Sequence, residues 1–140
     1  MKIDIGCGKV KLPGYTGIDR GPSVNPDLLY DILDKLPFED NSIEAVHSSH
    51  FLEHLKNPEL IIEEVWRVCK ADANVFFRFP LNLPVPDKIN GEHKIEFKYN
   101  FIYKYINPSK FIIMNYHIDT VKDLQIPDYE QVEITLRVIK

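Results

Sequence analysis

The order of apolar and polar positions divides the chain into short strands, one clear helix and a mixed C-terminal third. Residues 3–5 and 15–18 are β-type runs closed by small or acidic residues, with Gly6-Cys7-Gly8 and Pro13-Gly14 as the punctuation around them. They read as neighbouring strands. Fewer than ten residues separate Gly8 from Gly17, whereas a crossover that includes a packed helix needs ~10–12. The spacing therefore predicts that the first crossover helix is reduced or absent. Residues 27–31 read as a third, edge strand, 36–42 as a polar loop, and 43–49 as a central, mostly buried strand.

Asn57-Pro58-Glu59 is a helix start, because Asn caps, Pro tolerates the first helical position and an acid suits the positive end of the dipole. Ile61, Val65, Val68 and Cys69 then recur at three- and four-residue spacing, with Glu63, Glu64, Arg67 and Lys70 on the other side, which predicts a helix to about Lys70. Ala73-Asn74 predicts a turn into a strand over 75–79, and Pro80, Pro84 and Pro86 an irregular loop where a substrate is handled. Phe97, Phe101, Ile102, Tyr105 and Ile106 have helical spacing and end at Asn107-Pro108. Residues 110–117 and 132–138 read as strands, and with no helical pattern between them they should pair antiparallel at the edge of an otherwise parallel α/β sheet.

Composition narrows the class. A chain of 140 residues buries roughly two-thirds of its unfolded surface, which supplies one core and one domain, 1–140. It is 44% hydrophobic and 27% charged, with no apolar run near the ~20 residues of a membrane span. A soluble protein with no membrane partner is expected. Met1 to Ile5 run directly into a strand without a leader pattern, and Cys7 and Cys69 form no disulfide framework; both point to the cytoplasm. A net charge of −4 argues against a nucleic-acid backbone as the main partner. Lys88, Lys94, Lys98, Lys104 and Lys110 do alternate with Phe97, Tyr99, Phe101, Tyr103 and Tyr105, which reads best as an amphipathic helix with a solvated lysine face. A homodimer stays open.

The chemistry concentrates in the first third. A strand leading into Asp4-Ile5-Gly6-Cys7-Gly8 places glycines where the backbone turns sharply and a nucleotide-like ligand can approach. The next strand ends in Gly17-Ile18-Asp19, and an acid there can accept hydrogen bonds from two ribose hydroxyls. Asp31, the Leu36-to-Glu44 segment and Ser48-Ser49-His50-Phe51-Leu52-Glu53-His54-Leu55 follow in order.

Over about residues 2–80 this ordered set resembles small S-adenosylmethionine-dependent methyltransferases related to the type-11 family, in its strand-GCG turn, LPG segment, LPF-D-NS loop and S-H-LEH segment. The resemblance implies a Rossmann-like methyltransferase fold, with 1–80 as the cofactor-binding part and 81–140 as the substrate side and sheet edge. It also implies S-adenosyl-L-methionine as cofactor and an unidentified methyl acceptor. Asp4, Gly6, Cys7 and Gly8 would line the methionine and ribose side, Asp19 would bind the ribose, Asp31 would face the adenine amino group, and Ser49 would lie near the activated methyl. Lys9 stands where the family has a third glycine, and Lys70-Ala71-Asp72-Ala73-Asn74 where it has K-P-G-G.

Methyl transfer asks mainly for alignment, with a base only where the nucleophile must lose a proton; His50 is the candidate catalytic residue. Two rival readings remain. His50, Glu53 and His54 match H-x-x-E-H, the zinc-hydrolase motif in which two histidines share a helix face. The same fold could also serve as a non-catalytic S-adenosylmethionine-binding domain.

Overall fold

The computed structural model describes residues 1–83, 92–122 and 128–140. Its strands are β1 (Lys2–Ile5), β2 (Thr16–Asp19), β3 (Leu28–Leu29), β4 (Ile43–Ser49), β5 (Cys69–Leu81), β6 (Phe111–Val121) and β7 (Tyr129–Val138), with helices α1 (Pro58–Val68) and α2 (Phe101–Tyr105). They form one sheet in the order β3-β2-β1-β4-β5-β7-β6. Pairing is parallel from β3 through β5, and β7 lies antiparallel to both β5 and β6. The mostly parallel sheet with a C-terminal antiparallel pair is therefore as the sequence predicts, and no helix intervenes between β1 and β2.

Register sorts the side chains onto two unlike faces. Ile3, Val46, Val75 and Leu136 lie in one row across four strands, and Ile5, Ser48, Phe77 and Ile134 in the next row on the same face. Each is 1% exposed or less. Ile61, Ile62, Val65 and Val68 of α1 join the same core. A well-buried aliphatic side chain of this kind contributes ~1.5–3 kcal/mol.

The row between them, Asp4, His47, Phe76 and Thr135, points to the opposite face. There Asp4 Oδ1 lies 2.7 Å from His47 Nδ1. The His47 ring stacks on Phe76 at 5.1 Å between centroids, and Arg78 sits over Phe76 and bonds Glu133. A helix in the first crossover would cover an apolar version of this face; without it, polar residues alternate with the core positions, and that is the period-two pattern of β7.

Three expectations are corrected. The turn at Ala73-Asn74 is instead a bulge within β5: Ile43 pairs with Cys69 but Ala45 with Asn74, and Asp72 has φ +62°, a left-handed backbone that Asp tolerates. The side chain of Asn57 makes no cap bond; its carbonyl accepts from Leu60 N–H at 3.2 Å. The helical spacing over 97–106 yields a helix only at 101–105. Phe97 is drawn into the sheet by a bridge to Leu81 and ring contact with Phe79 at 4.2 Å, tertiary packing overriding local periodicity.

The lysine-aromatic stripe is consequently divided. Phe97 and Phe101 are buried, while Lys98 pairs with Glu96 and Lys110 with Glu63. Pro84, Pro86 and Lys88 lie outside the described residues. Among the described residues, no helix is long and apolar enough to cross a membrane.

Candidate functional site

The carboxyl ends of β1 and β2 and the segment after β3 converge on a cavity of about 180 Å³, lined by Gly6, Ile18, Asp19, Tyr30, Asp31 and Phe51 among others. Open parallel sheets place ligands at this end of their strands. The glycine turn is held by its own backbone, since Gly6 N–H and Cys7 N–H both bond the Ile18 carbonyl, at 2.9 and 3.1 Å. Gly6 has φ +67°, and a β-carbon on it would stand 2.6 Å from Phe51 Cδ2. Only glycine fits there.

Asp19 organises the mouth of the cavity. Its Oδ2 accepts from Gly8 N–H at 3.1 Å and its Oδ1 from Gly21 N–H at 2.8 Å. Each oxygen keeps a second lone pair for another donor. The shortened crossover is held by side chains in place of a helix. Leu12 N–H bonds Asp4 Oδ2 at 3.3 Å, Gly17 N–H bonds Asp27 Oδ2 at 2.8 Å, and Lys11 Nζ donates to Asp27 Oδ1 at 2.7 Å. That lysine hydrogen bond, with the one from Gly17, holds the Asp27 carboxyl below its usual range.

Of the residues singled out from the sequence, Gly6, Asp19 and Asp31 line the cavity. Asp4 is 3% exposed on the opposite sheet face, beside His47. Cys7 is also buried, and its Sγ lies where a β-carbon on Gly17 would meet it at 2.9 Å. Burial first, then Asp19 and Asp4, push its thiol up. Gly8 serves the Asp19 carboxylate. Ser49 ends β4 opposite Arg78, and His50 follows with φ +53°, its N–H bonded to the Arg78 carbonyl at 2.9 Å. Its imidazole is partly exposed, with Nδ1 3.2 Å from Glu53 Oε1. Asp4, Cys7, Gly8, Ser49 and His50 are not among the cavity-lining residues.

The H-x-x-E-H reading fails on backbone geometry. A helix would put His50 and His54 on one face, but His50 is left-handed and only a single 3-10 turn, Leu52–His54, follows. Glu53 and His54 instead group with His93, their candidate donor atoms all within 4.8 Å of one another. Sequence reasoning missed His93, because its place depends on backbone bonds from Lys94 and Ile95 N–H to the Glu53 carbonyl, at 2.8 and 3.3 Å, and no periodicity reports those. It also missed Phe51, whose apolar character within a polar segment was the available signal.

Residues 19–77 match the family described as the methyltransferase domain. A search of curated protein sequences gives no match. Among solved structures, an S-adenosylmethionine-dependent methyltransferase from Methanosarcina mazei is similar at a TM-score of 0.73 and 19% identity, covering 99% of this chain and 92% of that one. A protein from Bacillus halodurans C-125 assigned as a methyltransferase gives 0.77 and 12%, with the same coverages of 99% and 92%. The [4+2]-cyclase SpnF also shares the fold, at 0.67 and 14%, covering 99% and 75%, so the fold by itself hosts other chemistry. Residues 19–77 are thus similar to the methyltransferase domain, and the chain as a whole has the fold seen in these S-adenosylmethionine-dependent methyltransferase structures.

Proposed function

We propose that this chain binds S-adenosylmethionine in the cavity at Gly6 and Asp19 and transfers its methyl group to an acceptor presented at the end of β4. The observation that carries this reading is the convergence of Gly6, Asp19 and Asp31 on one cavity at the carboxyl ends of the parallel strands. Their chemistry fits the cofactor. Asp19 has a free lone pair on each oxygen for the two ribose hydroxyls, Asp31 offers a carboxylate to an exocyclic amine, and Gly6 lets the ligand pass close to the backbone. Asp4, Cys7 and Gly8 support the turn from behind.

The cofactor supplies an electrophilic methyl on a sulfonium, and the protein's part is alignment. The cavity of about 180 Å³ is smaller than the ~300–1,000 Å³ of small-molecule sites, so the Phe51 ring over Gly6 has to swing aside. Ser49 and His50 flank the acceptor. With Nδ1 directed at Glu53, the Nε2 of His50 is free to take a proton from an acceptor hydroxyl or amine. Two buried free cysteines suit a reducing, cytoplasmic setting. The edge strand β6, with Ile112, Ile113, Met114 and Tyr116 exposed, is where a second copy would pair if the protein dimerises.

Calorimetric titration of S-adenosylmethionine and S-adenosylhomocysteine into wild-type protein and Asp19→Ala tests the reading. Binding to the wild type that is lost in the variant supports it and justifies an acceptor screen. Absence of binding to the folded wild type overturns it, and binding without transfer to any acceptor leaves the non-catalytic alternative standing.

A further inference from the structure

We infer that Glu53, His54 and His93 form a binding site for one divalent transition-metal ion of the zinc class, at the wall of the cofactor cavity. The three candidate donors belong to two chain segments that backbone bonds hold together: Lys94 and Ile95 N–H both bond the Glu53 carbonyl. The rings of His54 and His93 meet edge to face at 4.9 Å between centroids.

A second observation is independent of that clustering. Glu53 is 0% exposed, yet its Oε2 has no hydrogen-bond partner among the described residues. A buried carboxylate oxygen without a donor costs more than a lost hydrogen bond, and native proteins almost always satisfy such an atom. The imidazoles of His54 and His93 each place a ring nitrogen within 4.8 Å of a Glu53 carboxylate oxygen. A cation bound between them satisfies Oε2, while Oε1 keeps its bond with His50.

The donor set selects the metal. Two imidazoles and one carboxylate suit zinc, cobalt, nickel or iron, and not magnesium or calcium, which take oxygen ligands. Donors bonded at ~2.0–2.1 Å around a tetrahedral zinc stand roughly 3.3 Å apart. The present separations, at most 4.8 Å, close to that value by rotation of the two imidazole side chains. His50 then acts as the outer partner of the ligating carboxylate. Because His54 also lines the cavity, a fourth, non-protein ligand would come from that side, as water or as an acceptor heteroatom.

The test uses zinc alone, titrated into chelator-stripped full-length protein without S-adenosylmethionine, so its failure is separate from failure of the methyltransferase reading. A chromophoric chelator in competition gives the affinity, and cobalt(II) gives the visible spectrum of a four-coordinate centre. One ion per chain is expected. His93→Asn and His54→Asn should each weaken zinc by at least about tenfold, and His50→Asn, which keeps a residue that tolerates the left-handed backbone, by about tenfold. His117→Asn, on the exposed edge strand, should leave the affinity unchanged. Circular dichroism establishes that each variant is folded; Glu53→Gln is the fifth variant, and if it does not fold the His93 variant decides. No stoichiometric zinc on the wild type, or wild-type affinity in His93→Asn, overturns the inference.

Discussion

The Phe51 ring covers the bare α-carbon of Gly6: a β-carbon there would stand 2.6 Å from Cδ2 and 2.8 Å from Cβ and Cγ. Gly6 also has φ +67°, so an alanine would meet both a clash and a disfavoured backbone. Gly6→Ala is expected to destabilise the fold by about 1–3 kcal/mol and to abolish cofactor binding. Phe51→Ala in the same chain removes the contacts with Cδ2 and Cγ and leaves the Cβ contact and the backbone cost. A double-mutant cycle in urea should therefore show favourable coupling, and strict additivity of the two substitutions would mean that the ring does not rest on the glycine.

Asp19 carries two backbone turns on one carboxylate, Gly8 at 3.1 Å and Gly21 at 2.8 Å. Asp19→Asn keeps the shape but turns an NH2 donor toward one of those N–H groups. A loss of about 1–3 kcal/mol in stability is expected, the cost of a partly buried donor left unpaired. On the proposed reading S-adenosylhomocysteine affinity should fall more steeply than stability does, since Asp19 would also lose one acceptor for the ribose. Thermal unfolding and titration of the same sample separate the two effects. Unchanged affinity in a folded Asn variant would remove Asp19 from the ribose role.

These two residues also mark how far the chemistry was legible in the amino-acid order. Gly6 and Asp19 follow from local rules, a positive φ after a strand and an acid at a strand end, and the missing helix between them follows from chain length alone. The strands did too, most clearly β7, where buried Val132, Ile134, Leu136 and Val138 alternate with Glu133, Thr135 and Arg137. What escaped were features made by distant parts: Phe97 taken from a helical pattern into the sheet beside Phe79, the bulge at Asp72 in place of a turn, and His93 brought to Glu53 by two backbone bonds. Asp4 shows the intermediate case, a residue in the expected motif whose side chain the pleat turns to the other sheet face, toward His47.

Arg67 ties the Leu36-to-Asp40 loop to α1. Its guanidinium donates to Glu64 through Nε and Nη2, both at 2.7 Å, to the Phe38 carbonyl at 3.0 Å, to the Leu36 carbonyl at 3.1 Å and to Asp40 at 2.6 Å. Glu64 in turn accepts from Leu36 N–H at 2.9 Å. A planar five-donor fork is required, so Arg67→Lys should lose nearly as much as Arg67→Ala, about 1–3 kcal/mol.

The pH dependence of that tie has a definite sign. The Arg67 hydrogen bond holds the Glu64 carboxyl below its ordinary value of 4.5. A lowered folded value means stability that is fully present above the unfolded value and is lost as pH falls through the folded one. Urea midpoints measured between pH 6 and pH 3 should fall in the wild type, and fall less in Glu64→Gln, with the two curves converging below pH 4. Parallel curves across that range would show that the pair contributes nothing to acid sensitivity.

The two thiols should be silent in the native protein. Burial pushes Cys69 up to about 12, and burial together with Asp19 and Asp4 raises Cys7. Since the thiolate is the reactive form, an exposed cysteine at pH 8 reacts readily, whereas at a value near 12 roughly one thiol in ten thousand is ionised. Both residues are also nearly inaccessible, Cys7 at 8% exposure and Cys69 at 0%. Native protein at pH 8 should therefore release almost no chromophore from an aromatic disulfide reagent, and guanidinium should release two equivalents. The two sites differ in what opens them. Cys7, in the short crossover, lies against Gly17 of β2, held by the bonds that Asp4 and Asp27 accept, so Asp27→Ala should make Cys7 reactive in folded protein while Cys69, the first residue of β5, stays protected. Rapid labelling of Cys7 in the unmodified native chain would mean that the crossover is open in solution and that Sγ does not face Gly17.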